Sequence, residues 1–275
     1  MQISRQIAAF VVCTGLLAPL SLVPGMVAPA HAFDPAKVFE GEKLSWKKVF
    51  SVFKSARKEG NEEEAVGALK FAAEQGSHAA QWKLGRMYQT GDGVEKDPAA
   101  AFVFFKQVAD GYSDVRPGTP DWQFTADSMV ALGRYYRDGV PEAGIRPNTD
   151  EAQVMFTTAA TYFDHPAAQF ELARMYLDDG DNERMEVLQA ARMLKSASDA
   201  GHVGAEALLG HLIFEGEFLR RDAVRGLAMM MDALRRASAA DHKWISAYQE
   251  EAFALASEDE RRAAIAAAKV LAGDQ

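Results

Sequence analysis

Apolar and small residues recur along most of the chain with the spacing of helices, in short segments that polar turns separate. In three of these segments they fall at positions i, i+4 and i+7, in two of them also at i+3, which places them on one face of a helix. No segment shows the alternation of apolar and polar residues that marks a half-buried strand. The pattern therefore predicts an all-α protein. The positions are Ala101, Phe104, Phe105 and Val108; Ala152, Met155, Phe156 and Ala159; and Ala190, Leu194 and Ala197.

A second kind of segment carries a small residue at the middle of a predicted helix. Its aligned leucines are spaced by 48, 40 and 37 residues, and such a repeat with insertions predicts a solenoid of stacked helix pairs. Glycine inside a helix costs about 1 kcal/mol relative to alanine. We therefore expect the small residues to lie where neighbouring helices approach closely. Each leucine and its small residue are Leu84-Gly85, Leu132-Gly133, Leu172-Ala173 and Leu209-Gly210.

The clearest copy of the unit runs from Ala65 to Pro98. It contains Ala72-Ala73 and Gly76 in its first half, Leu84-Gly85 and Tyr88 in its second, and then the turn Gly91-Asp92-Gly93-Val94. This pattern resembles the Sel1-like repeat, a relative of the tetratricopeptide repeat. The resemblance covers about residues 65–241 and implies an α/α solenoid of helix-turn-helix units.

The flanking segments are expected to cap this solenoid, which we place at residues 61–241 in about five units. Residues 33–60 contain one apolar helical stripe that can cover the first unit. Residues 242–275 are expected to form C-terminal capping helices, the last of which begins at a capping box. The stripe is Trp46, Val49, Phe50 and Phe53, and the capping box is Ser257-Glu258-Asp259-Glu260.

Composition and charge narrow the possible functions. Of 275 residues, 48% are hydrophobic and 25% are charged, which is typical of a globular protein. Lys and Arg number 30 against 39 Asp and Glu, so the net charge of -9 argues against nucleic-acid binding. The single cysteine, Cys13, excludes a disulfide scaffold and a thiolate metal cluster.

The first 32 residues have the features of a secretory signal peptide. Arg5 precedes a mostly apolar stretch, and Ala30-His31-Ala32 supplies small residues for cleavage between Ala32 and Phe33. The alternative is a membrane anchor that stays in place. Cleavage predicts a periplasmic protein that does not insert into a membrane afterwards.

Motifs for catalysis, cofactors and metals are absent from the sequence. There is no Gly-x-Ser-x-Gly, His-Glu-x-x-His or phosphate-binding glycine loop, so we predict no catalytic, cofactor-binding or metal-binding residue. His165, His202 and His242 occupy one register, at or just after the turn between the two helices of a unit. Repetition of the unit explains this set better than a metal site does.

Two inserted loops interrupt the repeats, one at 112–124 between the helices of the second unit and one at 138–149 after it. Insertions in solenoids often gather on the binding face. We therefore predict that Tyr112, Arg116, Asp121 and Trp122 bind a partner, because aromatic residues and arginine anchor many interfaces. The alternative is that Trp122 and Phe124 fold back onto the solenoid.

Taken whole, the chain resembles the ExoR family of exported Sel1-like repeat regulators. The points of likeness are the signal peptide, Phe33-Asp34-Pro35-Ala36 at the mature start, the helix around Trp46 and the interrupted repeats. The resemblance implies a non-catalytic negative regulator of exopolysaccharide synthesis, which inhibits the periplasmic sensing domain of a membrane histidine kinase until acid or periplasmic proteases relieve the inhibition. The sequence leaves open whether the protein also associates with itself. The alternative function is a cell-envelope hydrolase or a general envelope scaffold.

Overall fold

The described residues of the computed structural model are 34–39, 45–178 and 184–273. Over these ranges the chain forms thirteen α-helices and no strand, which confirms the predicted all-α fold. The helices are α1 (Pro35–Val38), α2 (Trp46–Lys58), α3 (Glu62–Glu74), α4 (His78–Thr90), α5 (Pro98–Asp110), α6 (Pro120–Asp138), α7 (Thr149–Thr161), α8 (Pro166–Asp178), α9 (Arg184–Asp199), α10 (Val203–Glu215), α11 (Ala223–Arg236), α12 (Ala239–Leu255) and α13 (Glu258–Ala272).

The predicted signal segment 1–32 and its cleavage site between Ala32 and Phe33 lie outside the described residues. Within the described ranges, no helix combines the length and the apolar character needed to cross a bilayer.

Polar caps at one end and glycines at the other explain why the helices are short. A side-chain oxygen of Asn61 accepts a hydrogen bond from the third residue of α3, and Asp97 does the same for α5. Left-handed glycines end α4 and α10 at Gly91 and Gly216. The capping box predicted at Ser257 is confirmed at the start of α13.

The helices pair into five units, each with a first and a second helix. The first helices are α3, α5, α7, α9 and α11, and the second helices are α4, α6, α8, α10 and α12. Most of the predicted core positions of the first helices are fully buried, including Phe105, Phe156 and Leu194. The packing between the second helix of one unit and the first helix of the next is more extensive than the packing within a unit.

The small residues at the middle of the second helices lie at close helix contacts, as predicted. A Cβ atom at Gly85 would lie 2.8 Å from the ring of Phe105, and one at Gly133 would lie 2.5 Å from the ring of Phe156. At Gly210 the neighbour is backbone, because the Cβ would lie 2.7 Å from the carbonyl oxygen of Gly226. Each partner belongs to the first helix of the following unit, so these residues set the spacing between units.

The second helices also contact one another along one side of the solenoid, which we call the second-helix face. α4 touches α6, and α10 touches α12, whereas no two first helices of successive units in the described part of the chain make a comparable contact. α2 joins this face, since it packs on α3 and its Phe53 ring lies 5.4 Å from Lys83 Nζ in α4. α2, which carries the N-terminal capping stripe, therefore takes the place of a second helix ahead of the first unit.

Three expectations need correction, two about the ends of elements and one about the register of a histidine. The segment 112–124 is not a loop throughout, because residues 120–124 belong to α6, where Pro120 and Asp121 suit a helix N-terminus. The boundary at 241 falls inside α12, which Ser238 caps at its N-terminus. His242 consequently lies within α12, away from the register of His165 and His202.

Candidate functional site

The residues predicted to bind a partner surround the start of α6. Tyr112 lies in a short 3₁₀ turn, Arg116 lies in the irregular stretch after it, and Asp121 and Trp122 lie in the first turn of α6. The first three are exposed, and Trp122 is half-buried.

The structure brings two of the four together around a third aromatic residue, Tyr162, which follows α7. The ring centroid of Tyr162 lies 6.2 Å from that of Tyr112 and 5.2 Å from that of Trp122. Tyr112 and Tyr162 are 41% and 49% exposed. We call Tyr112, Trp122 and Tyr162 the aromatic patch. Among the described residues, no hydrogen bond or ion pair joins Arg116 or Asp121 to it.

The alternative interpretation, that the aromatic residues fold back onto the solenoid, is confirmed for Phe124 and holds in part for Trp122. The Phe124 ring lies 4.9 Å from Trp82 and 6.1 Å from Trp46, on the second-helix face. Trp122 packs on the core through the buried ring of Phe163, 4.4 Å away, and its other ring contact is with Tyr162 of the patch. The patch is thus held in place from beneath and is open to solvent above.

A buried carboxylate joins α6 to α8 near the middle of the second-helix face. Glu171 is 4% exposed, and its two oxygens accept hydrogen bonds from Arg134 Nε at 2.7 Å and Arg137 Nη1 at 2.6 Å. Arg137 also donates to Asp138, and this hydrogen bond, with Glu171, raises the pKa of Arg137. The same arginine lowers the pKa of Asp138. Arg137 and Asp138 are therefore charged over the whole physiological range.

The histidines of the turns serve as local structural groups. His202 caps α10, and its Nδ1 accepts a hydrogen bond from the backbone N–H of Ala205 at 3.1 Å. His165 Nε2 lies 3.0 Å from Asp127 Oδ1 of the preceding unit. No three His, Cys, Asp or Glu residues within the described ranges converge in an arrangement that would hold a metal ion.

His202 makes the stability of the fold depend on pH. Burial lowers its pKa, so the unfolded chain binds the proton at a higher pH than the folded chain does. The stability that neutral His202 provides is complete above the ordinary histidine pKa of about 6.5 and is lost as the pH falls below it. The titratable and charged groups that act on it are Asp241, Arg134, Glu171 and His165.

We expect the variant His202→Asn to lose less stability than the unchanged protein between pH 7 and pH 5. Asparagine also caps helices but does not titrate. The measurement is the urea midpoint of unfolding, followed by circular dichroism, for both proteins at both pH values. Equal losses in the two proteins would show that His202 does not contribute to the pH dependence.

Sequence reasoning missed several residues of these sites. Tyr162 follows a helix and matches no motif, so only its proximity to Trp122 in the fold reveals it. Glu171 could have been noticed in the sequence, because it is an acidic residue directly before the aligned leucine. The other second helices have Lys83, Ala131 and Leu208 at this position.

Comparison with known proteins identifies the repeats. The model of the Sel1 repeat family matches residues 78–112, 126–161, 166–202 and 203–230. A crystal structure of a Sel1 repeat protein from Oxalobacter formigenes is similar in fold, with a TM-score of 0.57 and 20% identity over 89% of this chain and 91% of that one. The chain is therefore a Sel1-repeat solenoid protein, as the sequence pattern predicted.

Two relatives narrow the identification to one family. The exopolysaccharide production negative regulator of Rhizobium meliloti (strain 1021) is 39% identical over 252 residues, which are 90% of each chain. The protein of the same name from Rhizobium leguminosarum bv. viciae is 35% identical over 250 residues, 90% of this chain and 89% of that one. The chain belongs to the ExoR family of exopolysaccharide production negative regulators.

Proposed function

We propose that this protein is a periplasmic, non-catalytic regulator that restrains exopolysaccharide synthesis by binding the periplasmic sensing domain of a two-component histidine kinase. While bound, it holds the kinase in the inactive state. Acid or proteolysis by periplasmic proteases destroys the regulator and releases the kinase. The observation that carries the regulatory part is the similarity to two negative regulators over nine tenths of each chain.

The aromatic patch supports binding as the mode of action. Tyrosine and tryptophan are enriched at the centres of interfaces, where they provide a large contact area with few rotatable bonds. Here Tyr112 and Tyr162 expose their rings on a base that Trp122 and Phe163 hold fixed. A partner would therefore meet a preorganised surface, which reduces the entropic cost of association.

The electrostatics favour binding over hydrolysis. A hydrolase that uses two carboxyl groups needs one with a raised pKa to act as the general acid. Among the described residues, each carboxyl group with a clearly shifted pKa is shifted downward, because it accepts hydrogen bonds from arginine, as in Asp92 and Asp138, or at a helix cap, as in Glu260. These groups stay ionised and do not release protons near neutral pH.

The test is a direct binding measurement between residues 33–275 and the periplasmic domain of a sensor kinase that co-purifies with the protein from membranes of its own host. We expect Trp122→Ala/Tyr162→Ala to weaken this complex by about tenfold or more, as loss of interface anchors does. Val154→Ala, which truncates another exposed apolar side chain on α7, should leave the affinity unchanged.

A second readout connects binding to regulation. Cells that carry the patch variant should overproduce exopolysaccharide although the protein is present in normal amounts. Co-purification of envelope hydrolases without any kinase would favour the alternative function. An unchanged affinity of the patch variant for the kinase domain would remove the aromatic patch from the interface.

A further inference from the structure

Two adjoining cavities open on the second-helix face, between α8, α10 and α12, far along the chain from the aromatic patch. The first has a volume of about 220 Å³ and is lined by Phe170, Arg174, Leu208, Trp244 and Tyr248. The second, of about 280 Å³, shares Arg174, Leu208 and Tyr248 with it. We call the two cavities together the C-terminal groove.

The apolar half of the groove is built from rings that are already fixed. The Tyr248 ring stacks on His211 with centroids 4.3 Å apart and an angle of 4° between the planes. Trp244 donates its indole N–H to Asp241 at 3.2 Å. The floor, Phe170 and Leu208, is buried. A large apolar side chain would therefore enter a preformed cavity, whose only charged neighbour is Arg174 among the residues that line it.

The other half of the groove combines apolar side chains with acidic ones. Asp178, Glu215 and Glu217 line the second cavity, against Arg174 as the one permanent cation among its described lining residues. Arg174 is itself drawn towards Glu171, 4.0 Å away. His211 Nε2 lies 3.4 Å from Glu215 Oε1. The net charge of this lining is negative, so it complements a basic group.

We propose that the C-terminal groove binds a segment of a partner protein in which a large apolar side chain and a lysine or arginine lie close together in sequence. The apolar side chain fills the cavity between Phe170, Leu208, Trp244 and Tyr248. The basic group meets Asp178, Glu215 and Glu217 in the adjoining half. This assignment rests on the proposed function, because it takes the chain to act by binding a protein, but it needs no particular partner.

The test uses a phage-displayed library of random peptides of about a dozen residues, panned against residues 33–275. We expect the enriched peptides to carry a large apolar residue with a lysine or arginine a few positions away in sequence. Glu215→Lys/Glu217→Lys changes only exposed side chains and should weaken a synthetic copy of the best peptide about tenfold, which corresponds to about 1.4 kcal/mol.

The matched control is Glu63→Lys/Glu95→Lys, which makes the same change of charge at exposed positions of the first unit and its exit turn. It should leave peptide binding nearly unchanged. A peptide in which glutamate replaces the basic residues should bind the Glu215→Lys/Glu217→Lys protein better than the original protein. Enrichment of acidic peptides, no enrichment, or equal weakening by both pairs of substitutions would each overturn the proposal.

The two binding measurements, with peptides and with the kinase domain, separate this inference from the proposed function. If the peptides bind as expected but no kinase domain does, the groove stands and the proposed function fails. If the kinase domain binds and the library yields no apolar-basic sequence, the proposed function stands and the groove assignment fails.

Discussion

Replacing Gly226 by valine should lower the free energy of unfolding by about 3 kcal/mol, the upper range for overpacking a well-packed interior. A Cβ atom at Gly226 would lie 2.5 Å from the carbonyl oxygen of Gly210 and 2.7 Å from the backbone nitrogen of Phe214. Both neighbours are helical backbone, so relief requires α10 and α11 to separate. These two helices make the most extensive contact among the described elements.

The control for Gly226 is the residue before it. Arg225→Val introduces the same side chain at an exposed position of α11 and should cost less than about 1 kcal/mol. Urea unfolding of both variants, followed by circular dichroism, gives the comparison. Equal midpoints would mean that the close approach of the two glycines does not limit the packing of the fourth and fifth units.

Replacing Glu171 by leucine should destabilise the fold by about 2 kcal/mol. Removal of one partner from a buried ion pair costs about 3–5 kcal/mol, and the effect is reduced here because Arg134 and Arg137 are 47% and 33% exposed and keep part of their hydration. The variant leaves both guanidinium groups without their buried acceptor. The measurement is again the urea midpoint at neutral pH.

Two further variants decide whether the charge or the shape of Glu171 matters. Asp138→Asn removes the exposed partner of Arg137 and should cost less than about 1 kcal/mol, as exposed ion pairs do. The triple variant Glu171→Leu/Arg134→Met/Arg137→Met removes all three charges and should regain most of the lost stability. A triple variant less stable than Glu171→Leu alone would show that the side chains act through packing.

The fold could be predicted from the sequence because its signals are local and repeated. Helical spacing, polar caps and a small residue in each of the first four second helices all recur, and the buried rings against Gly85 and Gly133 explain why that small residue is needed. The errors concern ends of elements. Pro120 can begin a helix or sit in a loop, and the aromatic residues that follow it did not distinguish the two from sequence alone.

The aromatic patch could be predicted only in part, because it depends on contacts between units. Tyr112 and Trp122 stood out as insertion residues, but Tyr162, which lies 50 and 40 positions further along the chain, joins them through the stacking of the second and third units. The C-terminal groove left no signal at all in the sequence. Its walls come from α8, α10 and α12, with Val187 of α9 and the loop after α10, and each contributes residues that are ordinary for its own register.

The packing of second helices on the following first helices determines where this array can be shortened or recombined. A chimeric junction between Thr161 and Pro166 keeps Phe156 seated on Gly133, within one inherited module. A junction between Asp138 and Thr149 would draw those two residues from different parents. Modules exchanged between homologues should therefore be cut after a first helix. The segments that match the Sel1 family model likewise run from a second helix into the following first helix.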